Sequence, residues 1–290
     1  MTILITGSTG FLGSYLLKSF IDNGYEVIAL KRSTSNIFRI DNFLNKVTFY
    51  NIDEVEILEI FEKHKIDIVI NTVTNYGRND NQISSIVDTN LMFGLKLLEE
   101  SVNNNVQAFI NTDTLLERNI NAYALSKAHL VDWMKYLSNK NTKMINIKIE
   151  HMYGPLDDEN KFIYWLINQL KKNVEKIDLT SGIQKRDFIY IYDIVNAYQV
   201  IINNINKLFN FEEIELGTGT SIEVKFFIEN IYLELSKTQT LNTKLNFGAI
   251  PYRDNENMNM QANTKKLEKL NWNSKVTIVN GIRNIINGEL

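Results

Sequence analysis

The chain has 290 residues, 44% of them hydrophobic and 22% charged, which suits a globular protein with a real core and a second, smaller lobe. A net charge of −3 gives no electrostatic ground for a nucleic-acid or anionic-membrane partner, and the absence of cysteine excludes disulfides, thiolate metal sites and thiol nucleophiles. The three histidines, His64, His129 and His151, share no ligand spacing, no targeting segment precedes the first apolar run, and no stretch approaches ~18 apolar residues. The expectation is a metal-free cytoplasmic protein.

In chain order, Thr2–Thr6 (TILIT) reads as a buried strand. Phe11–Asp22 follows with Leu12, Leu16, Leu17, Phe20 and Ile21 at helical spacing, stopped by Asn23-Gly24. Glu26–Leu30 and Val47–Tyr50 are strands, Glu54–His64 a helix, and Asp67–Asn71 (DIVIN) a fourth strand. Ser84–Asn103 reads as a long helix, Ala108–Asn111 as a fifth strand, Ala122–Ser138 as a helix and Lys143–Ile149 as a sixth strand. Strands and helices in this rhythm imply an α/β fold of the Rossmann type, a doubly wound parallel sheet. After about Glu150 the pattern loosens. Helices over Phe162–Lys172 and from Ile222, a strand-to-helix passage in DFIYIYDIVNAYQVII, and strands at Glu213–Leu216 and Leu245–Phe247 compose a smaller α/β lobe. The division is residues 1–155 for a dinucleotide-binding domain, with strands returning from the C-terminal half, and 156–290 mostly for a substrate lobe. Thr264–Leu270 and Val276–Asn287 are expected to pack back on the body.

ITGSTGFLGSYLL places glycines at 7, 10 and 13 between the first strand and the first helix. Gly7 permits a tight turn, Gly10 lets the backbone approach a pyrophosphate, and Gly13 lets helix and strand pack closely. The free N–H groups and partial positive charge of the helix N-terminus face the phosphates, with Thr9, Phe11 and Leu12 beside them. NAD binders place an acid at the end of the second strand. Here that position holds Lys31, Arg32 and Ser33, two cations and a hydroxyl that suit a 2′-phosphate, so the expected cofactor is NADP(H). The alternative is that Lys31 and Arg32 are surface charges.

INTDTLLERNINAYALSK covers a strand end, a loop and a helix start. Tyr123 and Lys127, at i and i+4, share a helix face. A phenol ordinarily titrates near pH ~10, and a neighbouring ammonium and a nicotinamide cation favour the phenolate. Such a tyrosine exchanges a proton with a carbonyl or carbinol oxygen. Thr112 lies at a strand's carboxyl end, where ligands bind in open α/β sheets, and its hydroxyl suits the same oxygen.

With these segments, TGSTGFLG, YALSK, HMYGP, KRDFIYIYDIVNAY and NTKKLEKLNW, the chain resembles the extended short-chain dehydrogenase/reductases of the nucleotide-sugar epimerase/dehydratase type along nearly its whole length. NTDTLL, EHMYGPLDDENKFI and FGAIPYRDNENM resemble most the CDP-abequose and CDP-paratose synthase group, 4-ketosugar reductases. The resemblance implies NADPH-dependent reduction of the C4 keto group of a nucleotide-linked 6-deoxy or 3,6-dideoxy sugar, a CDP-linked one favoured, for surface polysaccharide precursors. It places Thr112, Tyr123 and Lys127 on the catalytic triad and Gly7, Gly10 and Gly13 on the phosphate loop. Asn71, Thr72, Val73 and Thr74 lie where the centre of the cofactor runs. Arg186 falls on a nucleotide contact, Arg253 on a diphosphate contact, and Tyr153 near the sugar-nucleotide cleft, flanked by Glu150 and His151. Asp113 joins Thr112 on the substrate side. Tyr76 and Arg78 are either sugar contacts or surface-loop residues.

One departure narrows the activity. The dehydratases that resemble this segment carry Asp-Glu after the threonine, as acid and base, whereas this chain has Asp113-Thr114. Threonine is no base near neutral pH, so reduction or 4-epimerisation remains. The missing acid after the second strand counts against NAD-retaining epimerases. A non-catalytic dinucleotide sensor of the same fold is the alternative of another class. Asp157, Asp158 and Glu159 read as a solvated loop, and Asp193 as a cap or structural acceptor. Ile86, Val87, Leu91, Leu95, Leu98 and Val102 on one helix, and Leu130, Trp133, Met134 and Leu137 on another, cover more than one face, which implies either a homodimer or burial under the C-terminal lobe.

Overall fold

Four residues without a polar interruption in their buried run, Thr2–Ile5, form β1, every one of them buried. This is the signature of a strand covered on both faces. The computed structural model describes residues 1–77, 82–138, 140–254 and 256–288. The chain divides into two compact units, Met1–Ile149 with Tyr198–Glu215, and Glu150–Ala197 with Leu216–Leu290.

In the first unit β1 is followed by α1 (Phe11–Asp22), β2 (Glu26–Lys31), β3 (Thr48–Asn51), α2 (Ile57–Lys63), β4 (Ile68–Asn71), α3 (Ile83–Val87), α4 (Phe93–Asn103), β5 (Ala108–Thr114), α5 (Ala122–Leu137) and β6 (Lys143–Ile149). With Phe211–Leu216 at one edge, the strands form a seven-stranded parallel sheet, ordered Phe211–Leu216, β6, β5, β4, β1, β2, β3. The chain winds from β1 toward β3, then crosses back to β4 and winds the other way. The reversal opens a crevice at the carboxyl ends of β1 and β4, where such sheets bind ligands. Leu4, Ile28, Val69 and Phe109 from the strands pack with Leu97, Leu98, Leu130 and Met134 from α4 and α5. Each such side chain, fully buried, contributes about 1.5–3 kcal/mol.

Two elements differ from the sequence pattern. Ser84–Asn103 is not one regular helix: a π-helical turn at Asp88–Met92 separates α3 from α4. The fully buried Asn90 sits in that turn, where its carboxamide accepts from the Asn75 N–H at 2.7 Å and donates to the Asn75 carbonyl at 2.9 Å and to Ser126 Oγ at 3.0 Å. The fifth strand does not stop at Asn111. It pairs with β6 residue by residue from Ala108↔Lys143 to Thr114↔Ile149, which places Thr112 inside the strand.

The second unit holds β7 (His151–Tyr153), α6 (Phe162–Lys171), β8 (Lys176–Leu179), β9 (Lys185–Arg186), β10 (Phe188–Tyr190) and the start of α7 (Ile191–Asn203). After β11, the sheet-edge strand already given, come β12 (Ile222–Glu223), α8 (Val224–Ser236), β13 (Lys244–Phe247), α9 (Lys265–Lys269) and α10 (Ile278–Asn287). β7 pairs with β10, β8 with β13 and β9 with β12. An aromatic core of Tyr153, Phe188, Tyr190 and Phe227 fills the unit, with the Phe188 and Phe227 rings stacked at 3.9 Å. The last helices belong to this unit. Asp193 in the first turn of α7 accepts from the Lys275 and Val276 N–H groups at 3.0 and 2.9 Å, and so ties the approach to α10. Among the described residues no helix is long and apolar enough to cross a membrane.

Candidate active site

The glycine loop meets the requirements of a phosphate cradle. Gly7 has φ +64°, the left-handed region that glycine alone enters without strain, and a Cβ there would stand 2.7 Å from Thr72 Oγ1. At Gly13 a Cβ would lie 2.1 Å from the Gly7 carbonyl oxygen, so α1 approaches the loop as only glycine allows. Gly10 is the N-cap of α1 and offers no side-chain cap, so no capping side chain covers the positive end of the helix. Phe11 and Leu12 are buried behind the loop. The Thr9 carbonyl accepts from Arg39 Nη1 at 3.2 Å, a cation that the sequence pattern did not single out. These residues fit a dinucleotide.

The end of β2 is more mixed than its sequence. Lys31 Nζ donates to Asn51 Oδ1 at 2.7 Å. Ser33 gives both its N–H, at 2.8 Å, and its hydroxyl to the carboxylate of Asp53, and these bonds hold the Asp53 carboxyl below its usual range. Arg32 is exposed. An acid therefore does reach the end of β2, from the loop after β3. A scan for an acid within the second strand misses it because parallel pairing, not chain adjacency, brings it there.

Thr112 and Lys127 meet directly. α5 starts at Ala122 because Asn121 caps it, its side chain accepting from the Ala124 N–H at 2.8 Å. Tyr123 thus sits in the first turn, at the positive end of the helix. Lys127, one turn on, is buried. Its ammonium donates to the Thr112 carbonyl at 3.0 Å and to the Val73 carbonyl at 3.1 Å. Burial lowers its pKa to about 8, while the Asp113 carboxylate acts in the opposite direction. The Thr112 hydroxyl lies 2.7 Å from that of Tyr198. Tyr198 is fully buried, and burial raises its pKa, so it keeps its proton and either hydroxyl can donate to the other. Tyr198 and Asn90 escape sequence reasoning: Tyr198 closes the KRDFIYIYDIVNAY segment with no chemical role legible there, and Asn90 lies in none of the quoted segments.

The other candidate residues are placed as follows. Tyr76 is exposed, its ring 5.0 Å from that of Tyr123. Thr72 Oγ1 donates to the Thr6 carbonyl at 2.7 Å, and Thr72 to Thr74 line the chain after β4 as half-buried residues. Asn71 is fully buried, its side chain bonded to Thr6 and Asn111. Asp113 is buried and accepts from Asn146 Nδ2 at 2.9 Å. In the second unit, the nearly buried Arg186 is ion-paired with Glu256 and donates to the Lys185 and Asn257 carbonyls, each at 2.7 Å. Arg253 is exposed. Tyr153 is 1% exposed among Phe188, Tyr190 and Phe227, so its side chain has no surface to offer a sugar; alternation within β7 turns it into the core. Asp157 is not solvated as the acidic run implies. It is buried and bonds Lys161 Nζ at 2.7 Å, and burial raises its pKa. Arg78 lies outside the described residues.

A sequence profile of the NAD dependent epimerase/dehydratase family matches residues 3–217. The chain belongs to this family. Two curated members are similar over nearly the full length: the CDP-abequose synthase of Salmonella typhimurium, 32% identical over 98% of this chain and 97% of that one, and the CDP-abequose synthase of Salmonella muenchen, 34% identical over 98% and 96%. The fold is that of the UDP-glucose 4-epimerase from Thermotoga maritima, with a TM-score of 0.84 at 21% identity, covering 99% of this chain and 98% of that one.

Proposed function

We propose that this member of the family is an NADPH-dependent reductase of the C4 keto group of a nucleotide-linked 6-deoxy or 3,6-dideoxy sugar, with a CDP-linked donor favoured. The observation that carries the reading is the end of β5. Thr114 stands where dehydration needs a base, and the Asp113 carboxylate beside it is tied to Asn146. The near full-length similarity to CDP-abequose synthases supports the choice of donor.

A nicotinamide dinucleotide held at the glycine loop would supply a hydride. Thr112, held by the Tyr198 hydroxyl, donates its hydrogen to the ketone oxygen. Tyr123 gives its phenolic proton to that oxygen as negative charge develops, and recovers a proton from solvent. Lys127 has three N–H donors, of which two are held by the Val73 and Thr112 carbonyls. The third serves the cofactor ribose, and the charge favours the tyrosinate left after proton transfer. Arg32 and Lys31 serve the 2′-phosphate, and Arg186, Arg253 and Tyr76 the sugar nucleotide. A homodimer through α4 and α5 belongs to the same reading, supported by Trp133 and Tyr136, which α5 leaves 44% and 73% exposed.

The test is NADPH oxidation against 4-keto sugars linked to CDP, dTDP, GDP and UDP, with the product's C4 configuration read by NMR. Oxidation with at least one of them is expected. The Asp53 carboxylate at the end of β2 favours the second reading, an NAD-dependent 4-epimerase. Cofactor retained through gel filtration, with sugars interconverted and no net NADPH oxidation, would establish that second reading and overturn the first.

A further inference from the structure

Three asparagines and a threonine cross the centre of the sheet in one row. In-register pairing of parallel strands sets Asn71 of β4 opposite Asn111 of β5, and Asn111 opposite Asn146 of β6, while Thr6 follows β1 on the other side of Asn71. Thr6 Oγ1 donates to Asn71 Oδ1 at 2.8 Å, Asn71 Nδ2 to Asn111 Oδ1 at 3.0 Å, and Asn111 Nδ2 to Asn146 Oδ1 at 2.9 Å. Asn146 Nδ2 then donates to Asp113 Oδ2 at 2.9 Å. All four row residues are at most 1% exposed.

The direction of the row is set by its end. A carboxylate only accepts, so Asn146 must turn its NH₂ to Asp113 and its oxygen to Asn111, and the same constraint passes back to the Thr6 hydroxyl. Every dipole in the row thus points its positive end toward Asp113. The other end returns to the lysine. Thr6 Oγ1 accepts from the Thr72 N–H at 3.1 Å, and the next residue, Val73, gives its carbonyl to Lys127 Nζ at 3.1 Å. Valine or isoleucine would fill these strand positions without the cost of burying three amides.

We propose that Thr6, Asn71, Asn111 and Asn146 are a positioning row that orients the Asp113 carboxylate as the buried counter-charge of Lys127, and thereby keeps the lysine protonated. Asp113 is then a positioning residue rather than a substrate ligand. Its position next to Thr112 follows from strand alternation, which turns Asn111 and Asp113 to one face and Thr112 to the other. Burial alone would push Lys127 further toward the neutral amine than about pH 8, and Asp113 opposes it. The other groups that face the lysine are Tyr123 on its own helix, the Val73 and Thr112 carbonyls, and Tyr198 behind Thr112. From the π-helical turn the residue bonded to α5 is the neutral Asn90, through Ser126.

The proposal rests on Lys127 as the lysine of the reductase site, and its test does not depend on turnover. Protein labelled with ¹³C at lysine Cε is titrated by NMR, with the Lys127 resonance assigned by its loss in Lys127→Met. Asp113→Asn keeps an oxygen to accept from Asn146 and removes only the charge. It is expected to lower the Lys127 midpoint by about one pH unit or more. Asn111→Leu keeps the charge and cuts the row, and is expected to lower the midpoint in the same direction by less. An unmoved midpoint in Asp113→Asn overturns the counter-charge, and an unmoved midpoint in Asn111→Leu overturns the role of the row. Should either variant fail to fold, Asp113→Ser and Asn111→Ser replace them with the same readings. Failure of every ketosugar to be reduced defeats the functional reading and leaves the titration as it stands.

Discussion

The buried ammonium of Lys127 makes the stability of the protein depend on pH in a way that one substitution isolates. In the unfolded chain the lysine titrates at 10.5, and in the fold burial lowers it to about 8. Below about pH 8 both states carry the proton, and the cost of burying the charge is present in full. Between about 8 and 10.5 the folded state has lost the proton while the unfolded state still binds it, so stability rises with pH; above 10.5 the gain is complete. At about 1.4 kcal/mol for each tenfold change in acidity, the fall from 10.5 to about 8 is worth about 3 kcal/mol. Lys127→Met keeps the volume and removes the titration. It leaves the Val73 and Thr112 carbonyls without their donor at every pH, so that loss cancels in a comparison across pH. The assay is urea unfolding of wild type and Lys127→Met at pH 7 and at pH 10.5, each without cofactor. The wild type is expected to gain about 2–3 kcal/mol on the variant between the two pH values. Stability changes that run parallel in the two proteins would show that Lys127 is not a desolvated cation, and the account of its environment would fall.

Other substitutions test the remaining parts of the site. Tyr123→Phe should lower turnover of the reduced ketosugar by about 10²–10⁴-fold while circular dichroism stays that of wild type, and near-normal turnover would end its role as acid. Tyr198→Phe removes the 2.7 Å partner of Thr112 and should lower kcat by about tenfold, with KM little changed, the worth of one hydrogen bond. Arg32→Ala should raise the KM for NADPH and leave that for NADH where it was; equal effects on both would remove Arg32 from the 2′-phosphate. Gly13→Ala drives a Cβ against the Gly7 carbonyl, and fluorescence titration should show loss of NADPH binding.

Much of the site was legible before the fold because the relations involved are local. A strand–glycine turn–helix spaced as Gly7, Gly10 and Gly13 can be read from neighbours in the chain, and so can a tyrosine and a lysine four apart on one helix. The alternation of buried strands and amphipathic helices specified the parallel sheet for the same reason. Where long-range pairing competes with local preference, reading failed. Thr112-Asp113-Thr114 is polar and loop-like, yet β6 pairs it to its last residue and makes it strand. Apolar spacing in Ser84–Asn103 is that of one helix, yet the buried Asn90 lies in a π-helical turn bonded to Asn75 and Ser126.

By itself, then, the sequence determined the strand–glycine turn–helix of the loop, the class of sheet and the placing of Tyr123 and Lys127 on one helix face, since backbone geometry within a turn or a helix follows from adjacent residues. Tertiary structure alone decided what surrounds them. It brought Tyr198 to Thr112 across 86 residues and Asp53 to Ser33 across 20, and it turned Tyr153 into an aromatic core. It also lined up Asn71, Asn111 and Asn146, which lie 40 and 35 residues apart. Parallel strands joined by helical crossovers place distant residues side by side, and the partners of a buried charge are chosen by that register.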